Sequence, residues 1–217
     1  MLRAPLRSVL MRRAQPRRQV PEAGTFALTF DDGPNPDFTP RVLDLLAERG
    51  ATATFFMVGS SAEEHPELVR RVGAEGHGLG SHTWSHPELL GLPFAELMRE
   101  CRQGRRAVER AAGRRVSSYR PPKGHWDGRG ATVATALRMQ PWIWTQDPRD
   151  WEAGASAEGI VAALRSLASG DVVLLHDGIH SPPDPAARDR SATVAALGPL
   201  LDLAAERGLR PVRLEGS

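Results

Sequence analysis

The chain of 217 residues is poor in cysteine and has no long apolar run. Its single cysteine, Cys101, excludes a disulfide framework within the chain. Because Cys101 lies in a helical-looking stretch with no paired base, we expect an inert packing residue rather than a nucleophile. No stretch approaches the roughly 20 apolar residues of a membrane-spanning helix. The run Val9-Leu10-Met11 is too short for the apolar region of a secretory signal, so we expect a cytoplasmic location by default, with the cell envelope as the alternative.

Acidic residues are missing from the first 20 positions, which carry six arginines: Arg3, Arg7, Arg12, Arg13, Arg17 and Arg18. The rest of the chain has 22 basic and 26 acidic residues, a net charge of −4, although the whole chain is +2. This distribution of charge does not support a nucleic-acid-binding surface over the whole chain. We expect a basic, disordered leader over residues 1–22 and one domain over residues 23–217. A nucleic-acid binder with a basic tail would instead lose a salt-dependent DNA affinity when residues 1–20 are deleted.

Short β-rich runs alternate with helical patterns along the domain. The predicted strands are residues 26–30, 53–58, 78–81, 116–120, 142–145, 172–176 and 209–214. The predicted helices are residues 39–49, 64–74, 93–112, 130–138, 156–168 and 192–207, the first with Thr39 as a capping residue and Gly50 as terminator. The alternation predicts a parallel sheet covered by helices, which either a barrel or an open doubly wound sheet would satisfy.

The positions of the polar residues favour the barrel. Each follows a predicted strand at or just past its carboxyl end, and these residues are Asp31, Asp32, His82, Arg120, Asp147 and His176. Barrel enzymes assemble their active sites at that end of the strands.

Two adjacent carboxylates, Asp31 and Asp32, end the first predicted strand, where burial is costly without a cation or a catalytic task. His82 and His86 lie four residues apart. If their segment starts with a helical turn, both imidazoles project from one face, as a divalent metal requires. Two histidines and one carboxylate form a common open zinc site, although a pair of loop histidines is the alternative for this spacing alone.

With two carboxylates, one can bind the metal while the other accepts a proton. His176 leaves a buried strand and is either a core histidine or a general acid. Arg120 precedes a rigid turn, where it could orient a carboxylate while the N–H groups of the turn face an oxyanion. Residues 147–151 place more acid beside an aromatic, a pattern that a solvated turn would also give.

Five segments occur in an order that resembles a known family: Thr29-Phe30-Asp31-Asp32-Gly33-Pro34, His82-Thr83-Trp84-Ser85-His86, Arg120-Pro121-Pro122-Lys123-Gly124, Asp147-Pro148-Arg149-Asp150-Trp151 and Leu174-Leu175-His176-Asp177. From about residue 25 to residue 214 the chain resembles the NodB-type polysaccharide deacetylases of carbohydrate esterase family 4. The resemblance implies a distorted, incomplete (β/α)7 barrel. It also implies removal of an acetyl or similar small acyl group from an N-acetylated amino sugar in a polysaccharide or glycan.

The resemblance further implies the role of each site residue. Asp32, His82 and His86 would bind one divalent metal ion, usually Zn²⁺, with Co²⁺ or Ni²⁺ tolerated. Asp31 would act as the base on a metal-bound water, and His176 would protonate the leaving amine. The remaining roles would fall to five residues: Arg120 holding Asp31, Asp150 holding His176, the backbone N–H of Lys123 facing the oxyanion, and Trp151 and Leu174 lining the acyl pocket. We expect a monomer that binds an acylated glycan and no nucleic acid.

Two departures from the family pattern bear on the substrate. Position 123 is usually aromatic, and Lys123 instead brings a cation that indicates an acidic or phosphorylated ligand. Residues 179–188 form an inserted, proline-stiffened loop that could shape the cleft. The alternatives are a deacylase of a lipid-linked sugar, an O-acetyl ester or a non-sugar amide, and a degenerate sugar-binding module, against which the intact polar set argues.

Overall fold

The computed structural model describes residues 15–182, 184–214 and 216. Its seven strands within these ranges are β1 (Thr25–Asp31), β2 (Thr54–Met57), β3 (Gly78–Ser81), β4 (Ser118–Tyr119), β5 (Gln140–Pro141), β6 (Val172–His176) and β7 (Arg210–Val212). The helices are α1 (Thr39–Glu48), α2 (Gly59–Glu64), α3 (Pro66–Ala74), α4 (Phe94–Ala112), α5 (Gly128–Ala136), α6 (Ala157–Ala163) and α7 (Ser191–Glu206). Two 3₁₀ turns cover Pro122–Gly124 and Pro185–Arg188.

All strand pairs in the sheet are parallel, and the strand order is β5-β4-β3-β2-β1-β6. Strand β7 pairs with Thr25–Ala27 at the start of β1, on the edge that β2 uses further along. An isolated bridge between Gln146 and Val173 brings the segment after β5 beside β6. The sheet therefore curls almost to closure, and the predicted distorted, incomplete (β/α)7 barrel is confirmed.

Successive side chains of β1 point alternately into two different hydrophobic cores. Phe26, Leu28 and Phe30 pack in the large core between the sheet and the outer helices. Ala27 packs in a smaller cluster inside the barrel with Phe56, a residue of β2. Because successive strand residues point to opposite faces, Thr29 and Asp31 share the interior face of β1 with Ala27.

Helix α1 begins at Thr39, as predicted, but Thr39 does not cap it. Phe38 occupies the N-cap position and makes no side-chain capping bond. The Thr39 hydroxyl accepts the N–H of Asn35 (2.7 Å) and donates to Asp177 Oδ2 (2.5 Å). Thr39 therefore joins the loop after β1 to the end of β6.

Apart from shifted boundaries, two regions differ from the prediction. The helix predicted over residues 64–74 begins two residues later, at Pro66, and the separate helix α2 before it was not predicted. Pro66 disfavours helical geometry in His65 and suits a first helical turn, so α2 and α3 are separate. The strand predicted over residues 142–145 is wrong, since β5 precedes it. Residues 142–146 instead pass from a bridge with Arg17 to a bridge with β6, so they form no continuous ladder with one partner.

Part of the predicted leader is described and contacts the domain. Arg17 donates its N–H to the Pro141 carbonyl (2.9 Å) and accepts the N–H of Ile143 (2.9 Å). The Val20 side chain is buried inside the barrel. Residues 1–14, with four of the six leader arginines, lie outside the described residues. Among the described helices, none combines the length and the apolar character needed to cross a membrane.

Candidate metal centre and active site

A cavity of about 710 Å³ opens at the carboxyl end of the barrel strands. Eight of the ten predicted site residues line it: Asp31, Asp32, His82, His86, Lys123, Trp151, Leu174 and His176. The other two, Arg120 and Asp150, are buried directly behind residues of the wall. The structure therefore brings together side chains from five separated segments of the sequence.

The two aspartates face different partners. Asp31 lies on the interior face of β1, where Arg120 Nη1 donates to Asp31 Oδ1 (2.8 Å) and to Thr29 Oγ1 (2.7 Å). The Arg120 guanidinium is fully buried, and its central carbon lies 4.2 Å from the centre of the Phe56 ring. Asp32 has a left-handed backbone (φ 71°), which interrupts the alternation of the strand. Both neighbouring carboxylates can therefore reach one cavity.

Asp32, His82 and His86 form a set of candidate metal ligands. Asp32 Oδ1 lies 3.4 Å from Nε2 of each histidine, and the three candidate ligand atoms lie within 4.8 Å of one another. Asp32 Oδ2 accepts the N–H of His180 (3.0 Å), whereas Oδ1 is buried with no hydrogen-bond partner among the described residues. A buried, unpaired carboxylate oxygen between two imidazole nitrogens fits a divalent ion, because such an ion would satisfy all three atoms.

The tautomer of His82 also fits a metal ligand. Its Nδ1 lies 2.8 Å from the backbone carbonyl of Arg120, which can only accept, so Nδ1 carries the proton. The lone pair of Nε2 therefore faces Asp32 and the cavity. A second hydrogen bond of this kind commonly orients a ligating histidine.

The predicted helical turn at His82–His86 is wrong. Thr83 (φ 67°) and His86 (φ 53°) both adopt left-handed backbone conformations, which a right-handed helix does not contain. The ring centres of the two histidines nevertheless lie 4.9 Å apart. A sharply bent loop, rather than a helix face, brings the imidazoles together.

On the opposite side of the cavity, His176 is paired with Asp150. The Nδ1–H of His176 donates to Asp150 Oδ1 (2.8 Å), and Asp150 Oδ2 accepts the backbone N–H of His176 (2.9 Å) and the Thr193 hydroxyl (2.8 Å). Arg190 donates to the backbone carbonyl of Asp150. His176 is also the register partner of Asp31 across the β1–β6 pair. The acid–base candidates thus lie on adjacent strands.

Burial and neighbouring charges give the two buried histidines opposite character. Burial lowers the pKa of His82 to about 4, so its imidazole is neutral. Burial acts in the same direction on His176, but the Asp150 carboxylate outweighs it and raises the pKa of His176 to about 9. Burial tends to raise the pKa of Asp32, yet His86 and His82 hold it below its usual value. The cavity therefore contains a neutral imidazole, a charged imidazole and an ionised carboxylate near pH 7.

The mouth of the cavity carries the remaining predicted residues. Lys123 has a left-handed backbone (φ 57°), and its N–H has no acceptor among the described residues. Its ammonium pairs with Glu88 (3.1 Å), which also contacts His125 Nδ1 (2.6 Å). The Lys123 cation therefore has a carboxylate partner, which weakens the prediction of an acidic ligand. Leu174 is buried in the wall, and Trp151 is partly exposed beside it.

Sequence reasoning missed three residues that support the site: His180, Arg190 and Thr193. His180 lies in the predicted inserted loop, of which residues 179–182, 184 and 187 line the cavity. A lone histidine in a loop gives no sequence signal of a contact with Asp32. Thr193 and Arg190 lie at the start of α7, and only the fold brings them to Asp150.

Comparison with known proteins agrees with this geometry. The family model described as polysaccharide deacetylase matches residues 18–142. The chitooligosaccharide deacetylase of Sinorhizobium fredii (strain NBRC 101917 / NGR234) is 40% identical over 200 residues, covering 88% of this chain and 92% of the relative. The peptidoglycan-N-acetylglucosamine deacetylase of Bacillus cereus (strain ATCC 14579) is 40% identical over 187 residues, covering 85% and 83%.

A solved structure, the family 4 carbohydrate esterase from Streptomyces lividans in complex with acetate, matches with a TM-score of 0.80. It is 30% identical, and the match covers 89% of this chain and 94% of that one. The family model, the relatives and the solved structure all support the family that the five sequence segments resemble. The chain belongs to the NodB-type polysaccharide deacetylases of carbohydrate esterase family 4 and is a hydrolase of carbon–nitrogen bonds other than peptide bonds.

Proposed function

We propose that this protein removes the acetyl group from an N-acetylated amino sugar in a glycan, with the help of one divalent metal ion. The observation that carries the proposal is the placement of Asp32, His82 and His86 beside a second carboxylate, Asp31, with a charged histidine opposite. Relatives named for chitooligosaccharide and for peptidoglycan N-acetylglucosamine support this substrate class.

Zn²⁺ suits the candidate ligand set best, because two imidazoles and one carboxylate leave a coordination position open for catalysis. Co²⁺ and Ni²⁺ accept the same nitrogen and oxygen donors. When bound, such an ion acts as a Lewis acid that polarises the carbonyl and makes water more acidic.

Asp31 is the proposed general base. Its Oδ2 lies 3.7 Å from Nε2 of the proposed ligand His82, so a water held beside that nitrogen would be within hydrogen-bond reach of Oδ2. The buried Arg120 guanidinium fixes the other oxygen, Oδ1, and keeps the carboxylate facing the cavity. Asp31 would accept the proton of the attacking water as the carbon–oxygen bond forms.

His176 is the proposed general acid. Asp150 keeps the imidazole protonated near pH 7, so Nε2 can donate a proton to the amine as the carbon–nitrogen bond breaks. The N–H of Lys123, which has no acceptor among the described residues, would donate to the oxyanion of the tetrahedral intermediate. Trp151 and Leu174 would form the wall that contacts the acetyl methyl group.

The test is acetate release from N-acetylglucosamine oligomers and peptidoglycan fragments by the wild-type protein and by Asp31→Asn. We expect Asp31→Asn to retain the metal by elemental analysis and to lose activity by about 100- to 10,000-fold, the usual contribution of a general base. Asp37→Asn, at an exposed loop position, is the matched control. Substantial turnover by Asp31→Asn would refute the base, and release from acetylxylan or lipid-linked sugars alone would redirect the substrate.

A further inference from the structure

The loop that carries both candidate histidine ligands, residues 82–86, has a conformation that it cannot hold alone. Thr83 and His86 are left-handed, a conformation disfavoured for residues that carry a Cβ. Two bonds inside the loop support the bend: the His86 N–H donates to Thr83 Oγ1 (3.2 Å), and the Thr83 hydroxyl donates to the His82 carbonyl (2.5 Å). The rest of the support comes from other elements. Helix α2 contributes the N–H groups of Gly59 and Ser60, which donate to Thr83 and Trp84.

Helix α4 supports the same loop through one carboxylate, that of Glu100. Glu100 Oε2 accepts the N–H of Trp84 (3.1 Å) and of Ser85 (3.0 Å), and Oε1 accepts the Ser85 hydroxyl (3.1 Å). Trp84 and Ser85 lie between the two histidines in sequence. The carboxylate thus fixes the centre of the loop, to which both imidazoles are attached.

One turn further along the same face of α4, Gly104 lies against the loop backbone. A Cβ at position 104 would come within 2.2 Å of the carbonyl carbon and oxygen of Thr83. Such a contact cannot be relieved by rotating a side chain, because the Thr83 atoms are backbone. Any larger residue at this position would push Thr83, and with it His82, away from the helix.

We propose that Glu100 and Gly104 are positioning residues of the metal centre, which set the separation of the His82 and His86 rings and thereby the metal affinity. Neither residue is among the candidate ligands or lines the cavity. Both act through the backbone of the loop. Glu100 accepts hydrogen bonds from the centre of the loop, and Gly104, which has no Cβ, allows the loop to lie close to the helix. The inference rests on the proposed metal centre.

The first test compares Glu100→Ala with Glu96→Ala in the full chain. Both remove a carboxylate from α4, but the Glu96 side chain makes no hydrogen bond to the described residues. We expect the dissociation constant for Zn²⁺, measured by chelator competition, to rise by about 10- to 100-fold in Glu100→Ala, as for other residues that orient metal ligands. Glu96→Ala should bind Zn²⁺ as the wild-type protein does. The absorption spectrum of bound Co²⁺ should change only in Glu100→Ala.

The second test compares Gly104→Ala with Gly73→Ala. Alanine is normally better than glycine inside a helix, and a Cβ at Gly73 would meet only Leu79 at an ordinary 3.5 Å. We therefore expect Gly73→Ala to keep its metal affinity. Gly104→Ala should lose metal affinity and show the same change in the Co²⁺ spectrum, although alanine favours the helix itself.

Thermal unfolding in the presence of a chelator separates this role from general damage to the fold. If Glu100→Ala fails to fold, Glu100→Gln, which keeps one oxygen able to accept from the loop, is measured in its place and should bind Zn²⁺ more weakly. A folded Glu100 variant that binds Zn²⁺ as tightly as the wild-type protein overturns the inference. A wild-type protein that binds no divalent ion would instead overturn the proposed function.

Discussion

The two sides of the cavity each carry a buried histidine, and the two differ mainly in what faces Nδ1. On the β3 side, His82 Nδ1 meets a backbone carbonyl, whereas on the β6 side His176 Nδ1 meets the carboxylate of Asp150. Burial disfavours the charged ring on both sides. The carboxylate reverses the outcome on one side only, so the pKa values are about 4 and about 9. The partner of one ring nitrogen thus decides whether a histidine suits a metal ion or suits proton donation.

Strand β1 and the residue after it supply one carboxylate to the proposed acid–base pair and one to the candidate metal ligands. Asp31 belongs with Arg120 and faces its register partner His176, while Asp32 belongs with His82 and His86. These chemically identical neighbours therefore have different surroundings, which support the different roles proposed for them.

The largest effect is expected when a proposed metal ligand on the β3 side of the cavity is removed. His82→Ala should abolish stoichiometric metal binding, because two ligands remain from three. Loss of a metal that contributes several kcal/mol to the transition state should lower acetate release by at least about 1,000-fold. Elemental analysis and an acetate assay check both outcomes. His65→Ala, which removes an imidazole between α2 and α3, should keep metal and activity. A His82→Ala protein that retains one zinc per chain contradicts the ligand assignment.

A smaller effect is expected when the β6 side is made more like the β3 side. Asp150→Asn replaces the carboxylate at His176 Nδ1 with a neutral amide, so the pKa of His176 should fall towards its ordinary value. A general acid must be protonated, so wild-type kcat should decline as pH rises through about 9. In Asp150→Asn, this decline should move down by about one pH unit or more, with metal content unchanged.

Thr193→Val is the matched control for that experiment. It removes one hydrogen bond to Asp150 Oδ2 but leaves the negative charge beside His176. In Thr193→Val, kcat should decline at nearly the same alkaline pH as in the wild-type protein. If the decline is the same in wild-type and Asp150→Asn proteins, His176 is not the group whose protonation limits the rate.

The smallest expected effect concerns stability. The folded-state pKa of His176 is raised from 6.5 to about 9, so the stabilisation from its protonated form is complete below pH 6.5 and is lost as pH rises through about 9. At about 1.4 kcal/mol per pKa unit, the upper bound is roughly 3 kcal/mol. Urea unfolding of wild-type and His176→Gln proteins with chelator, at pH 6 and pH 10, measures the difference.

The wild-type protein should lose its advantage over His176→Gln between those two pH values. Burial raises the pKa of Asp177 to about 7, so this group also titrates between pH 6 and pH 10, but it is present in both proteins and its contribution cancels in their difference. Parallel pH profiles for the two proteins would show that His176 is not charged in the folded state.

The predicted strand bounds are most accurate for three of the strands that carry site residues. For β3 and β6 the predicted bounds match the structure, and for β1 they differ by one residue at each end. These strands are apolar or glycine-rich runs that end at polar residues. The prediction failed at residues 142–145, where Trp142 and Ile143 are buried without a continuous ladder. An apolar run reports burial, and burial alone does not specify strand pairing.

The sequence also named the candidate ligands without giving the shape of their loop. Spacing suggested a helical turn at His82, but contacts with α2 and α4 impose a different bend. Glu100 lies in a helix with many charged residues, and nothing local distinguishes the charge that faces a loop from those that face solvent. Which side of α4 meets the loop is decided by packing between distant segments.

Lys123 is the only lysine among the 28 basic residues of the chain, and its half-exposed ammonium lies at the mouth of the cavity. An amine-selective dye would therefore react with this position and the terminal amine, while the arginines stay unmodified. A fluorophore placed there would lie at the entrance to the cavity in which the glycan is proposed to bind. The same residue that departs from the usual aromatic thus offers a built-in attachment point for an optical reporter of ligand occupancy.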